Sequence, residues 1–210
     1  GFVLIYLTNF GVKCKEVPSS FMLGVKRTRT EDNGVRRMHM SMEAYVEGMH
    51  NAFLDYVPKR TLHIPCEYNL MLNLDKGELN EENRRVLKRG YQSAVGMVLW
   101  AARGVYPQSL YAVQQLCKVM SKPTRQAWDA AMHLIAWMYQ KRKVGIAFRS
   151  DSNSIPVFMS DASNEGDSND SKRAYGYCGI WMGGPILMVS KKMDHSSSAT
   201  AANEYMALSH

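Results

Sequence analysis

Near Val144 the spacing of apolar residues changes from about 3.6 to about 2. Upstream, three stripes follow the i, i+3, i+4, i+7 rule of a helix with one buried face. Tyr91, Val95, Val98, Leu99 and Ala102 form the first, and Leu110, Val113, Leu116, Cys117 and Met120 the second, opened by Pro107. Trp128, Ala131, Met132, Ile135 and Met138 form the third, with Thr124 as N-cap after Pro123 and Lys141-Arg142-Lys143 at the end that welcomes cations. Downstream, Val144–Phe148, Pro156–Asp161, Ala174–Met182 and Pro185–Ser190 alternate as strands, the last two joined by a Gly183-Gly184 hairpin turn. From Ser198 the pattern turns helical again, with Ala201, Glu204, Tyr205 and Leu208 on one face. Helices followed by a sheet with its own packing helix make an α+β fold.

The N-terminal part adds strands and a fourth helix. Phe21–Val25 and Val35–Met40 flank the polar turn Thr30–Gly34. Ser41 then offers a cap for a helix to about Tyr56, with Ala44, Val46, Met49, Phe53 and Leu54 roughly at helical spacing. An irregular stretch follows through Pro58 and Pro65. The first residues, Phe2–Leu7, are an apolar run without a charged leader or cleavage site, and the last, Ala207–His210, lie in a helical pattern without a stop signal. The chain reads as an internal piece of a longer protein.

Composition excludes several classes. With 46% hydrophobic and 21% charged residues, neither wholesale disorder nor a fibrous repeat fits. The longest apolar runs fall far short of the ~20 residues of a membrane helix, so no membrane partner is expected. Cys14, Cys66, Cys117 and Cys178 form no CxxC pair, which suits a reducing compartment and excludes a zinc ribbon. The six histidines lack HExxH spacing, and there is no GxGxxG, Walker loop or GxSxG elbow. Charge is uneven. Residues 1–150 hold 22 Lys/Arg against 12 Asp/Glu, whereas residues 151–210 hold 4 against 7. The formal +7 is thus a basic body, suited to a polyanion or simply to solvated helix faces, joined to an acidic tail.

One constellation suggests chemistry. Asp161 ends an otherwise apolar strand, and Glu204 lies on the inner side of the helix after the hairpin. If the two carboxylates meet at a sheet edge, they offer the oxygen donors that magnesium requires, and such metals assist phosphodiester cleavage. A carboxylate at a strand end is also an ordinary solvated turn residue, as Asp151, Glu165, Asp167 and Asp170 are read to be.

Glu204–Ser209, preceded by Ser190-Lys191-Lys192 and Ser196–Ser198, resembles the end of a copia-type retrotransposon Pol protein, which carries a reverse transcriptase followed by RNase H. Tyr91–Gly96, Tyr111-Ala112-Val113 and Met120–Thr124 with Trp128 resemble the family's helical segment after the polymerase. Ser160-Asp161-Ala162, Gly166-Asp167, Lys172-Arg173 and Gly176-Tyr177 follow the order of its first RNase H strands. Phe21–Gly24 and Met40–Tyr45 are similar to the stretch after the polymerase active site.

The resemblance implies residues 1–36 as the end of the palm, 37–89 as a thumb-like region, 90–143 as connection helices and 144–210 as the first half of an RNase H-like mixed sheet. It implies Asp161 and Glu204 as catalytic and metal-holding residues. Two Mg2+ or Mn2+ ions belong to the complete site, whose other two acidic ligands would lie beyond His210. The polymerase aspartates would lie before Gly1. Lys141, Arg142, Lys143, Lys191 and Lys192 would bind an RNA–DNA hybrid through its phosphates, with shape and 2′-hydroxyl contacts outweighing base identity. The rest of the Pol polyprotein is the implied protein partner. The parent would act in a cytoplasmic particle and the nucleus, leading to DNA integration. On this reading the piece alone is inactive as an enzyme, and the alternative is a non-catalytic or degenerate nucleic-acid-binding remnant.

Overall fold

The computed structural model describes residues 20–74, 77–162 and 174–192. Among these residues the chain forms two antiparallel sheets and five α-helices. Strands β1 (Phe21–Met22), β2 (Val25–Asp32), β3 (Val35–Ser41) and β4 (Ile146–Arg149) make one sheet in that order. Strands β5 (Val157–Ala162), β6 (Ala174–Trp181) and β7 (Gly184–Lys192) make the other. The helices are α1 (Glu43–Ala52), α2 (Glu81–Lys88), α3 (Tyr91–Gly104), α4 (Leu110–Lys118), entered through a 3-10 turn at Pro107–Ser109, and α5 (Arg125–Gln140).

Helix α5 is the axis of the core and touches each of the other four helices. Its residues Ala127, Ala131, Leu134, Ile135 and Met138 are fully buried, against Val46 of α1, Val95 and Val98 of α3 and Leu116 of α4. Thr124 caps it as expected, its Oγ1 accepting from the Ala127 amide at 3.3 Å. The cap expected of Ser41 does not form. Ser41 ends β3, buried, and Met42 precedes α1 without a side-chain cap, its own side chain spent in the core. Helix α1 is also shorter than expected, ending at Ala52.

The irregular stretch between α1 and α2 is strapped to the core. Val57, Leu62, Leu70 and Leu72 are buried there. Its backbone polar groups, lacking a helix or ladder, find side chains instead. Gln140 accepts from the Leu62 amide and donates to the Arg60 carbonyl, both at 2.8 Å. His133 Nε2 meets the Ile64 carbonyl at 3.0 Å, and Trp137 Nε1 donates to the His63 carbonyl at 3.3 Å. His133, Trp137 and Gln140 follow the helical i, i+4, i+7 rule, so one stripe of α5 serves the strap.

Strand β4 departs from the expected grouping. It pairs with β3, Ile146 opposite Met40 and Phe148 opposite Met38, and not with the strands that follow it. This register stacks apolar side chains on one face of the first sheet, which explains the preference. The first hairpin turns within the expected Thr30–Gly34, at its last two residues, and the second turns one residue earlier than expected. Asn33-Gly34 and Met182-Gly183 carry the positive φ angles, of 49° and 77° and of 50° and 78°, so Gly184 already belongs to β7. The apolar run at residues 2–7 and the helix expected from Ser198 lie outside the described residues.

Candidate functional site

Asp161 sits next to the end of β5, an edge strand among the described residues, opposite Gly176 of β6, which in turn lies opposite Ser190 of β7. Period-2 alternation puts these three residues on one face of the sheet. The carboxylate is exposed, and its Oδ1 accepts from the Ala162 amide at 2.9 Å. With only a glycine across the ladder, no side chain of β6 covers it. On the same face Ser190 donates from Oγ to Oε1 of Gln114 at 2.7 Å, tying β7 to α4. Glu204 lies outside the described residues, so its distance from Asp161 does too.

A carboxylate open to solvent and already turned toward an amide is the donor type that a hard cation takes. The donor set among the described residues is this single carboxylate; no three His, Cys, Asp or Glu side chains gather there as a metal site. Asp161 offers an oxygen donor of the type magnesium takes, and by itself it makes no metal site.

The five basic residues do not form one patch. Arg142 is engaged inside the fold: its Nε donates to Glu47 Oε1 at 3.1 Å, with Glu43 at 4.0 Å. Its Nη1 donates to the Tyr139 carbonyl at 3.0 Å, and its guanidinium lies 4.3 Å from the Tyr139 ring centre. It joins the end of α5 to α1 and has little left for a phosphate. Lys141 is half-buried beside it and Lys143 exposed. Lys192 lies opposite Ala174 on the Asp161 face of the second sheet, whereas Lys191 lies opposite Tyr175 on the other face.

A second basic feature was not marked by sequence reasoning. Strands β2 and β3 place Arg29 opposite Met38 and Arg36 opposite Glu31 on one face, beside Phe148 of β4. These residues, with Trp181 and Ile186, line a cleft of ≈ 590 Å³ between the two sheets. The alternation Arg27-Thr28-Arg29 and Arg36-Arg37 was the available signal, hidden because no motif carries it. Nearby, Arg149 binds Asp151 through two hydrogen bonds of 3.0 and 2.7 Å, and that donation holds the Asp151 carboxyl below its ordinary value. The thiols of Cys66 and Cys117 are pushed up by burial, which argues against a reactive cysteine.

No helix among the described residues is long and apolar enough to cross a membrane. No family model and no solved structure matches the chain. It is 25% identical over 191 residues, 90% of its length, to the retrovirus-related Pol polyprotein from transposon TNT 1-94 of Nicotiana tabacum. It is 27% identical over 103 residues, 49% of its length, to a putative transposon Ty5-1 protein of Saccharomyces cerevisiae. It is also 29% identical over 119 residues, 57% of its length, to secreted RxLR effector protein 161 of Plasmopara viticola, covering 84% of that protein. The chain spans 14% of the tobacco polyprotein and 33% of the yeast protein. The two transposon relatives support a retrotransposon origin.

Proposed function

We propose that the chain is a piece of a reverse transcriptase/RNase H, from the end of the palm into the first strands of an RNase H-like domain. Its parent copies RNA into DNA and hydrolyses the RNA strand of RNA–DNA hybrids. The observation that carries this reading is the likeness to the tobacco Pol polyprotein, which runs through 90% of the chain and so covers helical body and sheet tail together. Three antiparallel strands with Asp161 near the end of the first suit the start of such a domain.

Asp161 and Glu204 would hold magnesium, and the ions would supply activation of water and stabilisation of the leaving oxygen. The chain's own part is to offer the Asp161 carboxylate at an open strand edge and to hold the hybrid's phosphates by its basic body, which carries ten more cations than anions over residues 1–150.

The test is binding and cleavage of a fluorescent RNA–DNA hybrid by the 210-residue chain. The expected result is binding that weakens as salt rises, with no RNA released in magnesium. Absence of hybrid binding at low salt would overturn the reading. Magnesium-dependent RNA release abolished by Asp161→Asn would overturn the narrower claim that the piece is inactive alone.

A further inference from the structure

We propose that the cleft between the two sheets seats unpaired nucleotides of a single-stranded nucleic acid. A base lies against Trp181 and Phe148, and the neighbouring phosphates meet Arg29 and Arg36. The inference rests on the nucleic-acid reading above but names a different site and a different form of ligand.

The cleft has fixed walls. The β6–β7 turn is pinned to β4 by the Arg149 amide, which donates to the Met182 carbonyl at 2.8 Å, and the Met182 amide donates to the Asn153 carbonyl at 3.2 Å. Trp181 is anchored by its indole N–H, which donates to the Ser154 carbonyl at 2.8 Å, yet the residue remains 40% exposed. An indole held by its edge keeps a face for stacking. Gly184, directly across the ladder, has no side chain, and the Phe148 ring comes in beside it.

Charge decides the occupant. Arg29 and Arg36 are exposed on the face that carries Met38 and Phe148, and Glu31 is the one acid among the lining residues. Arg149 is neutralised by Asp151 and does not count. An apolar peptide has no use for the two guanidinium groups, and an acidic peptide has no use for the aromatic floor. An unpaired nucleotide uses both: every base has a π-face, and every linkage has a charge. A duplex hides its bases in the stack and would leave Trp181 idle.

The experiment measures anisotropy of a labelled short oligothymidylate with the 210-residue chain across a salt series, with the RNA–DNA hybrid in parallel. Trp181→Leu should weaken oligothymidylate binding about tenfold at every salt concentration, while Trp181→Phe keeps affinity within about threefold. The double change Arg29→Ala/Arg36→Ala should flatten the dependence of log affinity on log salt by about 1.4. Circular dichroism of each variant confirms the fold, and the exposed arginines keep the test valid if Trp181→Leu unfolds. Oligothymidylate affinity indifferent to the folded variants, or displacement by polyglutamate as efficient as by unlabelled oligothymidylate, would overturn the proposal. Hybrid binding that persists in that case leaves the earlier reading standing.

Discussion

Two tyrosines show how burial sets chemistry at single residues. Tyr106 is fully buried, and its hydroxyl donates to the Arg142 carbonyl at 3.3 Å. Burial first, and the Glu43 carboxylate second, push its phenol up to about 12, with Arg142 opposing. Tyr91, donating to the Leu116 carbonyl at 2.9 Å, is raised further, chiefly by burial. A raised folded-state value means that the native chain keeps protons the unfolded chain loses. Their stabilisation is therefore complete below the ordinary tyrosine value near 10 and falls as pH climbs toward 12. The expected slope is about 1.4 kcal/mol per pH unit for each tyrosine. Urea midpoints taken across that window should decline steeply, and Tyr106→Phe should reduce the slope; a flat profile would contradict the buried, neutral phenols. Arg142 is the second case. With Glu47, Glu43 and Tyr139 as partners and a side chain 26% exposed, Arg142→Gln should cost about 1 kcal/mol in chemical denaturation. Hybrid affinity should stay nearly unchanged in that variant, because this guanidinium is already spoken for.

At the level of elements, α2 caps its own N-terminus and is tied there to the N-terminus of α5. Asn80 Oδ1 accepts from the Asn83 amide at 2.8 Å, and Asn83 Oδ1 accepts from the Asn80 amide at 3.1 Å. The buried Asn83 also donates from Nδ2 to the Pro123 carbonyl at 3.1 Å, and Glu82 Oε1 accepts from the Arg125 amide at 2.6 Å. Thr124→Ala should cost about 1 kcal/mol, the loss of one N-cap. Asn83→Ala should cost about 2 kcal/mol, because it strands a buried carbonyl and an amide together. Denaturant midpoints at constant m-value would check the order; equal losses would show that the link between the two helices carries nothing. The Thr124 cap and the stripe through Trp128, Ala131 and Ile135 were legible because capping and periodicity are local. The Asn83 link was not, since its acceptor is 40 residues away in the chain. Nor was the role of His133, Trp137 and Gln140, whose spacing reads as an ordinary helix face until the strap they hold is known. Strand β4 failed for a related reason: alternation identifies a strand but not its partner, and the pairing with β3 spans more than a hundred residues. Of the candidate site, the strand position of Asp161 was legible from its apolar lead-in, whereas the internal commitments of Arg142 were hidden by its place in a run of three cations.

The whole molecule depends on a narrow junction. The first sheet and the helices carry the cation excess, and the second sheet carries Asp161. The two sheets meet chiefly where β4 touches β7, with α4 packing on β7 beside it. Gly184 makes that meeting possible. A Cβ there would stand 2.6 Å from the Ala147 carbonyl oxygen and 2.8 Å from the Phe148 ring, closer than van der Waals contact allows. The ring could turn, but the carbonyl is main chain of β4 on the side that faces β7, and it can move only with its strand. Gly184→Ala should therefore part the junction while leaving both sheets paired internally, at a cost of about 1–3 kcal/mol. Hydrogen exchange would locate the effect: the Arg149 and Met182 amides should lose protection before those of α5 do. The same variant should weaken oligothymidylate more than the hybrid, because Trp181 and Phe148 belong to opposite walls of the cleft and Arg29 and Arg36 to one of them. Unchanged exchange at Arg149 and Met182, with unchanged thermal stability, would mean that the sheets meet some other way and that the cleft between them is not a fixed feature of the fold.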